Sequence, residues 1–317
     1  MTDFINQLAQ QSKETKMMTS LVGFAKIYNN TTDRIRQSIH ESLEAIGYSF
    51  DKRIRTVVIK PNMCYYWDYS TGQTTDPRFV EALVDLIRQE TPVRDISIIE
   101  SDASAMKCKH AFKILGYEKL SRDHDVKLVN LSEDEHKIVD VIVGKQKVRI
   151  IVPQTILKAD MRIDVPKIKY AIEGIKITCA LKNIFGCNPY PKKFRYHPDL
   201  ERVIVACNKA MRFNLCLVDG NIVSGIESRR LGLTIAGQDL VAIDAAVARI
   251  AGVNPKRIGY LQLAKREGLG DLSFVAKGAD IDYFAKRFPR KTVGYKLRAK
   301  AFTIVTKSGL GRKLGLE

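Results

Sequence analysis

Short apolar runs alternate along the chain with segments whose apolar residues recur every three or four positions. The run at residues 22–28 precedes Asn29–Asp33, whose side chains suit a helix start, and then a helical pattern that Gly47 ends. The β-branched run RTVVIK at 55–60, a helix from Pro77 to Gln89 and the run DISIIE at 95–100 repeat this order. Strands that alternate with helices favour a parallel sheet in an α/β fold.

The same reading predicts further elements in the rest of the chain. The predicted strands lie at 126–131, 137–143, 147–152, 215–219 and 233–236, an apolar run covers 156–165, and the predicted helices lie at 105–115, 239–251 and 256–267. A chain of 317 residues exceeds the usual size of one domain, and it contains neither an internal repeat nor a long linker. We therefore predict two interleaved α/β lobes with mainly parallel sheets and a cleft between them.

The predicted division of the chain has four parts. They are an N-terminal tail at 1–18, a first α/β lobe at 19–155, a second lobe with the cleft segment at 156–285, and a basic amphipathic segment at 286–317. The last segment has ten Lys or Arg and one acidic residue, a net of +9 out of +17 for the whole chain. It is typical either of docking on an anionic membrane surface or acidic partner, or of a helix that packs on the protein's own body.

The cysteines and the first residues of the chain indicate which cofactors and which compartment to expect. Six cysteines without a CxxC pair argue against a disulfide framework or zinc module, and no cysteine run of the iron–sulfur type is present. The cofactor stays unknown, and a divalent metal held by oxygen ligands is left open. No apolar run has the length to span a bilayer, and the start lacks a signal-peptide core, so we expect a cytoplasmic protein, peripheral to the membrane if the basic segment docks there.

Polar residues recur just past the ends of the apolar runs, where ligands collect in open α/β sheets. The residues in such positions are Lys60, Asn62, Glu100, Asp102, Lys167, Lys169 and Asp219, and Asp76 stands at a predicted helix start. The stretch CALKNIFGCNPYPKKFRYH at 179–197 adds Lys182, Asn183 and His197 as a predicted cleft wall. The structural alternative is a set of ion pairs at loop bases.

Lysines bind phosphate or carboxylate as point charges, and a desolvated lysine can serve as a base or nucleophile. We assign proton handling to Lys182, His197 and Asp102. We assign substrate binding to Lys60, Asn62, Asp76, Glu100, Lys167, Lys169, Asn183 and Asp219. One candidate histidine without a cysteine pair argues against zinc, and neither a Walker A sequence nor GxGxxG is present, so no metal ligand is assigned.

Several motifs in a fixed order resemble the uncharacterised domain-of-unknown-function family 362 from about residue 20 to 275. They include VVIKPN at 57–62, TTDPRFVEALVDLI at 74–87, IIESDAS at 98–104, KADMRIDVPKIK at 158–169, GIKITCALKNIFG at 174–186 and LVDG at 217–220. The resemblance implies no biochemical activity. Family sequences usually read PK-apolar-KTH, where this chain has Ala171 in place of the histidine.

A weaker, partial resemblance is to the nickel-pincer lactate racemases. There a lysine before a glycine turn anchors the pincer cofactor, and a histidine about sixteen residues later binds nickel. This resemblance implies Lys182 and His197, fifteen residues apart here, for those two roles. Histidines of the racemase type that abstract protons are not visible in the sequence.

Together these features predict an enzyme that acts on a small anionic substrate, carboxylate or phosphorylated, by proton transfer, isomerisation or group transfer. An isomerase or transferase is favoured over other enzyme classes. The alternative is a non-catalytic ligand-binding or accessory protein that docks through residues 286–317. The scarcity of aromatic residues between the basic positions of that segment argues against nucleic acid as the partner. The oligomeric state is not predicted.

Overall fold

Twelve strands are assigned in the part of the chain that the computed structural model describes, residues 19–170, 176–224 and 227–289. The strands are β1 (Ser20–Lys26), β2 (Thr56–Pro61), β3 (Asp95–Glu100), β4 (Lys127–Asn130), β5 (His136–Val143), β6 (Gln146–Pro153), β7 (Met161–Val165), β8 (Lys167–Tyr170), β9 (Ile177–Thr178), β10 (Leu215–Ser224), β11 (Ser228–Gly237) and β12 (Phe274–Gly278). The apolar runs at 55–60 and 95–100 thus form strands, as predicted.

Ten α-helices are assigned over the same residues. They are α1 (Thr32–Ala45), α2 (Pro77–Glu90), α3 (Cys108–Ile114), α4 (Tyr117–Asp123), α5 (Gln154–Lys158), α6 (Ala180–Phe185), α7 (Leu200–Ala210), α8 (Leu240–Ile250), α9 (Gly259–Arg266) and α10 (Ile281–Arg287). The side chain of Asp76 caps α2 by accepting a hydrogen bond from the Arg78 N–H, and Pro77 fits the first turn because it has no N–H to satisfy. The apolar run at 156–165 divides between α5 and β7.

Ten strands form one sheet in the order β12-β1-β11-β10-β7-β2-β3-β4, with β8 paired to β10 and β9 paired to β8. Neighbouring strands in the segment from β10 to β4 are parallel, whereas β11 is antiparallel to β1 and β10, and β9 is antiparallel to β8. The predicted α/β class with a mainly parallel sheet is confirmed. Strands from both predicted lobes join this sheet, since β2 pairs with β7 and β1 with β11.

Hydrophobic layers cover both faces of the sheet, as a mainly parallel sheet requires. Helices α1 to α4 pack on one face, and α6 to α10 pack on the other with the β5–β6 hairpin. Alternate residues of β2 supply the two layers, since Val57 and Ile59 belong to the first and Val58 belongs to the second. The carboxyl ends of β2, β3, β7 and β10 consequently emerge together between the layers.

Both predicted tails lie largely outside the described residues, which include none of 1–18 and only 286–289 of the basic segment. Within the described ranges, no helix has the length and hydrophobicity needed to cross a bilayer.

Gly23 in β1 provides a test of how closely α1 packs on the sheet. A β-carbon added at Gly23 would lie 2.0 Å from the backbone oxygen of Ser42 in α1. Gly23→Ala must therefore push the helix away, and we expect the free energy of unfolding to fall by about 1–3 kcal/mol. Urea denaturation followed by circular dichroism measures this change, and an unchanged midpoint would contradict the close approach.

Candidate active site

A cavity of about 650 Å³ lies at the carboxyl ends of the central strands. Its walls come from the ends of β2 and β3, from β8, from α6, and from a 3-10 segment at Lys193–Asp199. Eight of the predicted site residues line it: Lys60, Asn62, Glu100, Lys167, Lys169, Lys182, Asn183 and His197. The parallel strands thus bring together residues that lie up to 137 positions apart in the sequence.

The predicted catalytic residue Asp102 lies outside the lining of this cavity. Its carboxylate accepts hydrogen bonds from the Cys108 N–H at 2.9 Å and from Lys107 Nζ at 2.9 Å, so it holds the loop before α3. Burial works against the charge, but these bonds outweigh it and lower the pKa of Asp102. The carboxylate is therefore already engaged within the protein.

Asp76 and Asp219 also lie outside the lining, in the layer beneath it. Asp76 pairs with Arg78 at 2.7 Å at the start of α2, and burial raises its pKa. Asp219 is fully buried, pairs with Lys167 at 3.0 Å, and accepts a hydrogen bond from the Asp76 N–H at 2.9 Å. Both carboxylates join α2 and β10 to the floor of the cavity.

Two of the lysines that line the cavity form buried ion pairs. Lys60 Nζ lies 2.7 Å from Glu100 Oε2 and also donates to the carbonyl oxygen of Pro61, and Lys167 pairs with Asp219 as described above. Burial opposes the charge on Lys60, yet attraction to Glu100 prevails and raises the pKa of Lys60. These two ammonium charges are therefore neutralised inside the protein.

Three further lysines have no carboxylate within salt-bridge distance among the described residues, and we call Lys169, Lys182 and Lys193 the lysine triad. Lys169 Nζ donates to Asn62 Oδ1 at 2.7 Å and to the Gln73 carbonyl oxygen at 3.2 Å.

Lys193 Nζ donates to Ser101 Oγ at 2.5 Å and to the Gly186 carbonyl oxygen at 3.0 Å. Lys182 Nζ lies 4.6 Å from the centre of the Phe185 ring and makes no hydrogen bond to any residue that the structure describes.

The surroundings of the lysine triad destabilise its positive charge. Burial lowers the pKa of Lys169 and of Lys193. Burial, together with repulsion by Lys169 and Lys193, lowers the pKa of Lys182 to about 8. Near neutral pH the Lys182 amine can thus both accept and release a proton, which an ordinary surface lysine cannot do.

The hydrogen bonds of two side-chain amides, Asn183 and Asn62, determine which atom of Asn62 faces Lys169. Asn183 Nδ2 donates to Asp164 Oδ1 at 2.7 Å and to the Lys60 carbonyl oxygen at 3.1 Å, so its Oδ1 is left to accept from Asn62 Nδ2 at 2.8 Å. The oxygen of Asn62 therefore faces Lys169. Burial raises the pKa of Asp164 well above its usual value.

Helix α6, which carries Lys182 and Asn183, is held at its start by a residue from another helix. Asp244 of α8 accepts hydrogen bonds from the Ala180 N–H at 2.7 Å, from the Leu181 N–H at 3.2 Å and from the Tyr260 hydroxyl at 3.2 Å. Burial raises the pKa of Asp244 to about 7. The carboxylate thus satisfies two N–H groups at the start of α6 that have no partner within the helix.

Sequence reasoning missed Lys193, Asp164 and Asp244. Lys193 follows the exposed Lys192 in a stretch that resembles a charged loop, and the doublet itself gives no sign that only the second lysine turns inward. Asp164 and Asp244 lie within apolar runs, where a carboxylate among buried neighbours is a usable signal because such a group needs a specific partner.

The residues present do not fit a metal held by protein side chains. His197 lies exposed at the rim of the cavity, and Glu100 is committed to Lys60. In the described ranges, no three His, Cys, Asp or Glu side chains come together as a ligand set. Position 171, where the family histidine is expected, lies outside the described residues. No step proposed below involves nickel or another metal.

Comparison with known proteins identifies the family. The model of the family described as "Domain of unknown function (DUF362)" matches residues 57–249, and the chain belongs to this family, as its motifs predicted. The match includes β3, α6, α7 and nearly all of β2, and all of the residues that line the cavity.

Two individual proteins show partial likeness. A "Thylakoid-associated protein sll1697" from Synechocystis is 28% identical over 126 residues, which is 36% of this chain and 39% of the relative. The lactate racemase apoprotein from Thermoanaerobacterium thermosaccharolyticum has a TM-score of 0.44 and 9% identity, over 74% of this chain and 57% of that one. The chain spans well under two thirds of either protein, and neither likeness assigns it an activity.

The Asp244 carboxyl predicts a specific dependence of stability on pH. Its pKa is about 7 in the folded protein and near 3.8 when exposed, so folding disfavours ionisation. The unfolded state loses this proton first, and the free energy of unfolding falls as pH rises from about 4 to 7, by up to about 1.4 kcal/mol per pH unit from this group.

Asp244→Asn removes this titration but keeps an acceptor for the Ala180 N–H. Urea denaturation at several pH values measures the free energy of unfolding of both proteins. The value for wild type minus the value for Asp244→Asn should decrease as pH rises from about 4 to 7. Parallel stability curves for the two proteins would contradict the assignment.

Proposed function

We propose that this protein is an enzyme that acts on a small anionic substrate by proton transfer, with Lys182 as the acid–base group. Lys169, Lys193 and Asn62 orient the substrate. The observation that supports this proposal is that three lysines without a carboxylate partner among the described residues face one cavity. An isomerase is the class that best combines one titrating amine with an anion-binding wall.

The energetics of buried charge favour an anion in this cavity. Ammonium groups removed from water are destabilised unless an opposite charge offsets the loss of hydration. Glu100 and Asp219 do this for Lys60 and Lys167, whereas neutral acceptors hold Lys169 and Lys193, and Lys182 contacts the Phe185 ring. A bound carboxylate or phosphate would supply the missing negative charge.

The acid–base assignment follows from the contrast within the triad. Lys169 and Lys193 are each fixed by two hydrogen bonds, whereas the Lys182 amine contacts an aromatic ring. A general base works best when its pKa lies near the working pH, and a pKa of about 8 meets that condition. In its neutral form Lys182 would accept a proton from the substrate, and in its charged form it would return one.

Lys182→Met tests the central residue of this proposal, since methionine replaces the aliphatic part of the side chain and removes the amine. We expect loss of most of the rise in melting temperature that small carboxylates and phosphates cause in the wild-type protein. The exposed neighbour of the triad, Lys192, provides the matched control Lys192→Met. Equal stabilisation of Lys182→Met and wild type across the anion panel would remove Lys182 from the site.

A second candidate function is docking on an anionic membrane through the basic segment. It is favoured by the net charge of +9 over residues 286–317 and by the name of the Synechocystis relative, a thylakoid-associated protein. Basic amphipathic segments bind anionic lipid surfaces through charge and apolar contact together. With this second function, the cavity binds a ligand and does not catalyse a reaction.

Removal of residues 290–317 tests this docking and leaves α10 intact, because that helix ends at Arg287. We expect the full chain to sediment with vesicles that contain anionic lipid and the shortened chain to stay in the supernatant. Neutral vesicles are the control for charge. Equal sedimentation of both chains would exclude the segment as the anchor.

A further inference from the structure

We propose that the ligand of this cavity is a compact dianion, such as a phosphate monoester or a short dicarboxylate, and that Lys193 determines the preference for two charges over one. This inference rests on the proposed function, because it concerns the same cavity. It adds the charge of the substrate and a specificity residue that the sequence did not indicate.

The two fixed ammonium groups, those of Lys169 and Lys193, donate hydrogen bonds to Asn62 and Ser101. Parallel pairing of β2 and β3 sets Ile59 opposite Ile98, and Asn62 and Ser101 are the residues that directly follow the ends of these two strands. Adjacent strands are about 4.8 Å apart. The acceptors of the two ammonium groups therefore lie at neighbouring strand ends.

Helix α6 joins these two anchors and places the third amine with them. Asn183 accepts a hydrogen bond from Asn62, and the Gly186 carbonyl oxygen accepts from both Ser101 Oγ at 2.5 Å and Lys193 Nζ at 3.0 Å. Lys182 lies in the same turn of the helix as Asn183. Three lysines are thus placed around one short helix, and all three line the same cavity.

The lack of a side chain at Gly186 allows close packing between the end of α6 and its neighbours. A β-carbon there would lie 2.8 Å from the Asn183 carbonyl oxygen and 3.5 Å from Lys60 Nζ. The absence of a side chain lets the carbonyl oxygen of this residue approach Lys193 while the ion pair of Lys60 stays beneath it.

The charge count among the lysines, apart from the exposed Asp199 and Glu201 of the same lining, favours a ligand with two negative charges. The pairs Lys60–Glu100 and Lys167–Asp219 are neutral, so the lysine triad contributes +3 when fully protonated and +2 when Lys182 is neutral. A dianion balances the charge of +2 that remains when Lys182 is neutral, and the neutral amine is the form that can act as a base. A monoanion leaves one half-buried positive charge without compensation, which is unfavourable.

The mouth of the cavity limits how far the negative charge can extend. The acidic residues Asp199 and Glu201 belong to the lining and are exposed, and Asp199 pairs with Arg202. A long polyanion would bring charge of the same sign against them, whereas a compact dianion keeps its charge near the lysine triad.

The test compares anions of equal size class on the full chain at constant ionic strength and pH 7.5. Binding of inorganic phosphate, malonate and acetate is measured by isothermal titration calorimetry on the wild type and on Lys193→Met, Lys193→Arg and Lys192→Met. We expect phosphate or malonate to bind the wild type about tenfold or more tightly than acetate. The stronger of the two dianions identifies the phosphate or the carboxylate class.

In Lys193→Met the affinity for phosphate and malonate should fall to near the affinity for acetate. Lys193→Arg and Lys192→Met should keep the preference for dianions. The Arg variant retains the charge, so a loss of preference in both Lys193 variants would overturn the role of the charge. Equal affinity of all three anions for the wild type would overturn the preference for a dianion and leave the proposed anion site standing. Absence of binding by all three anions would overturn the proposed function as well.

Discussion

Helix α6 is held over the carboxyl ends of β2 and β3 by hydrogen bonds from residues distant in sequence, and the positions of the cavity groups depend on it. Asp244 fixes its first turn, Asn183 bonds to β2 and β7, and Gly186 bonds to Ser101 and Lys193. A six-residue helix is not stable alone in water, because nucleation is costly. Its geometry is therefore a property of the surrounding tertiary structure.

Five lysines line one cavity, yet their partners give them different chemistry. Glu100 and Asp219 form ion pairs with two of them, while neutral acceptors hold Lys169 and Lys193. Lys182 makes an aromatic contact and has the lowered pKa of about 8. Burial lowers the pKa of each of these three lysines, and shifted pKa values of this kind are common at functional sites.

The family match at 57–249 contains the cavity but ends before the basic segment at 286–317. The two candidate functions therefore rest on different parts of the chain. The cavity belongs to the part shared with the family, whereas the net charge of +9 belongs to the part beyond the match. The proposed anion binding and the proposed docking can therefore be tested separately.

The sequence by itself determined the α/β class, most element positions and eight of the residues around the cavity. It could do so because strand and helix periodicities are local, and because the ends of parallel strands meet at one edge of the sheet. Only the tertiary structure decided which lysines have carboxylate partners. It turned Lys193 inward and Lys192 outward, used Asp102 to hold a loop, and brought Asp244 to α6 across 64 residues. Ion pairs and caps of this kind depend on distances between segments that no local pattern records.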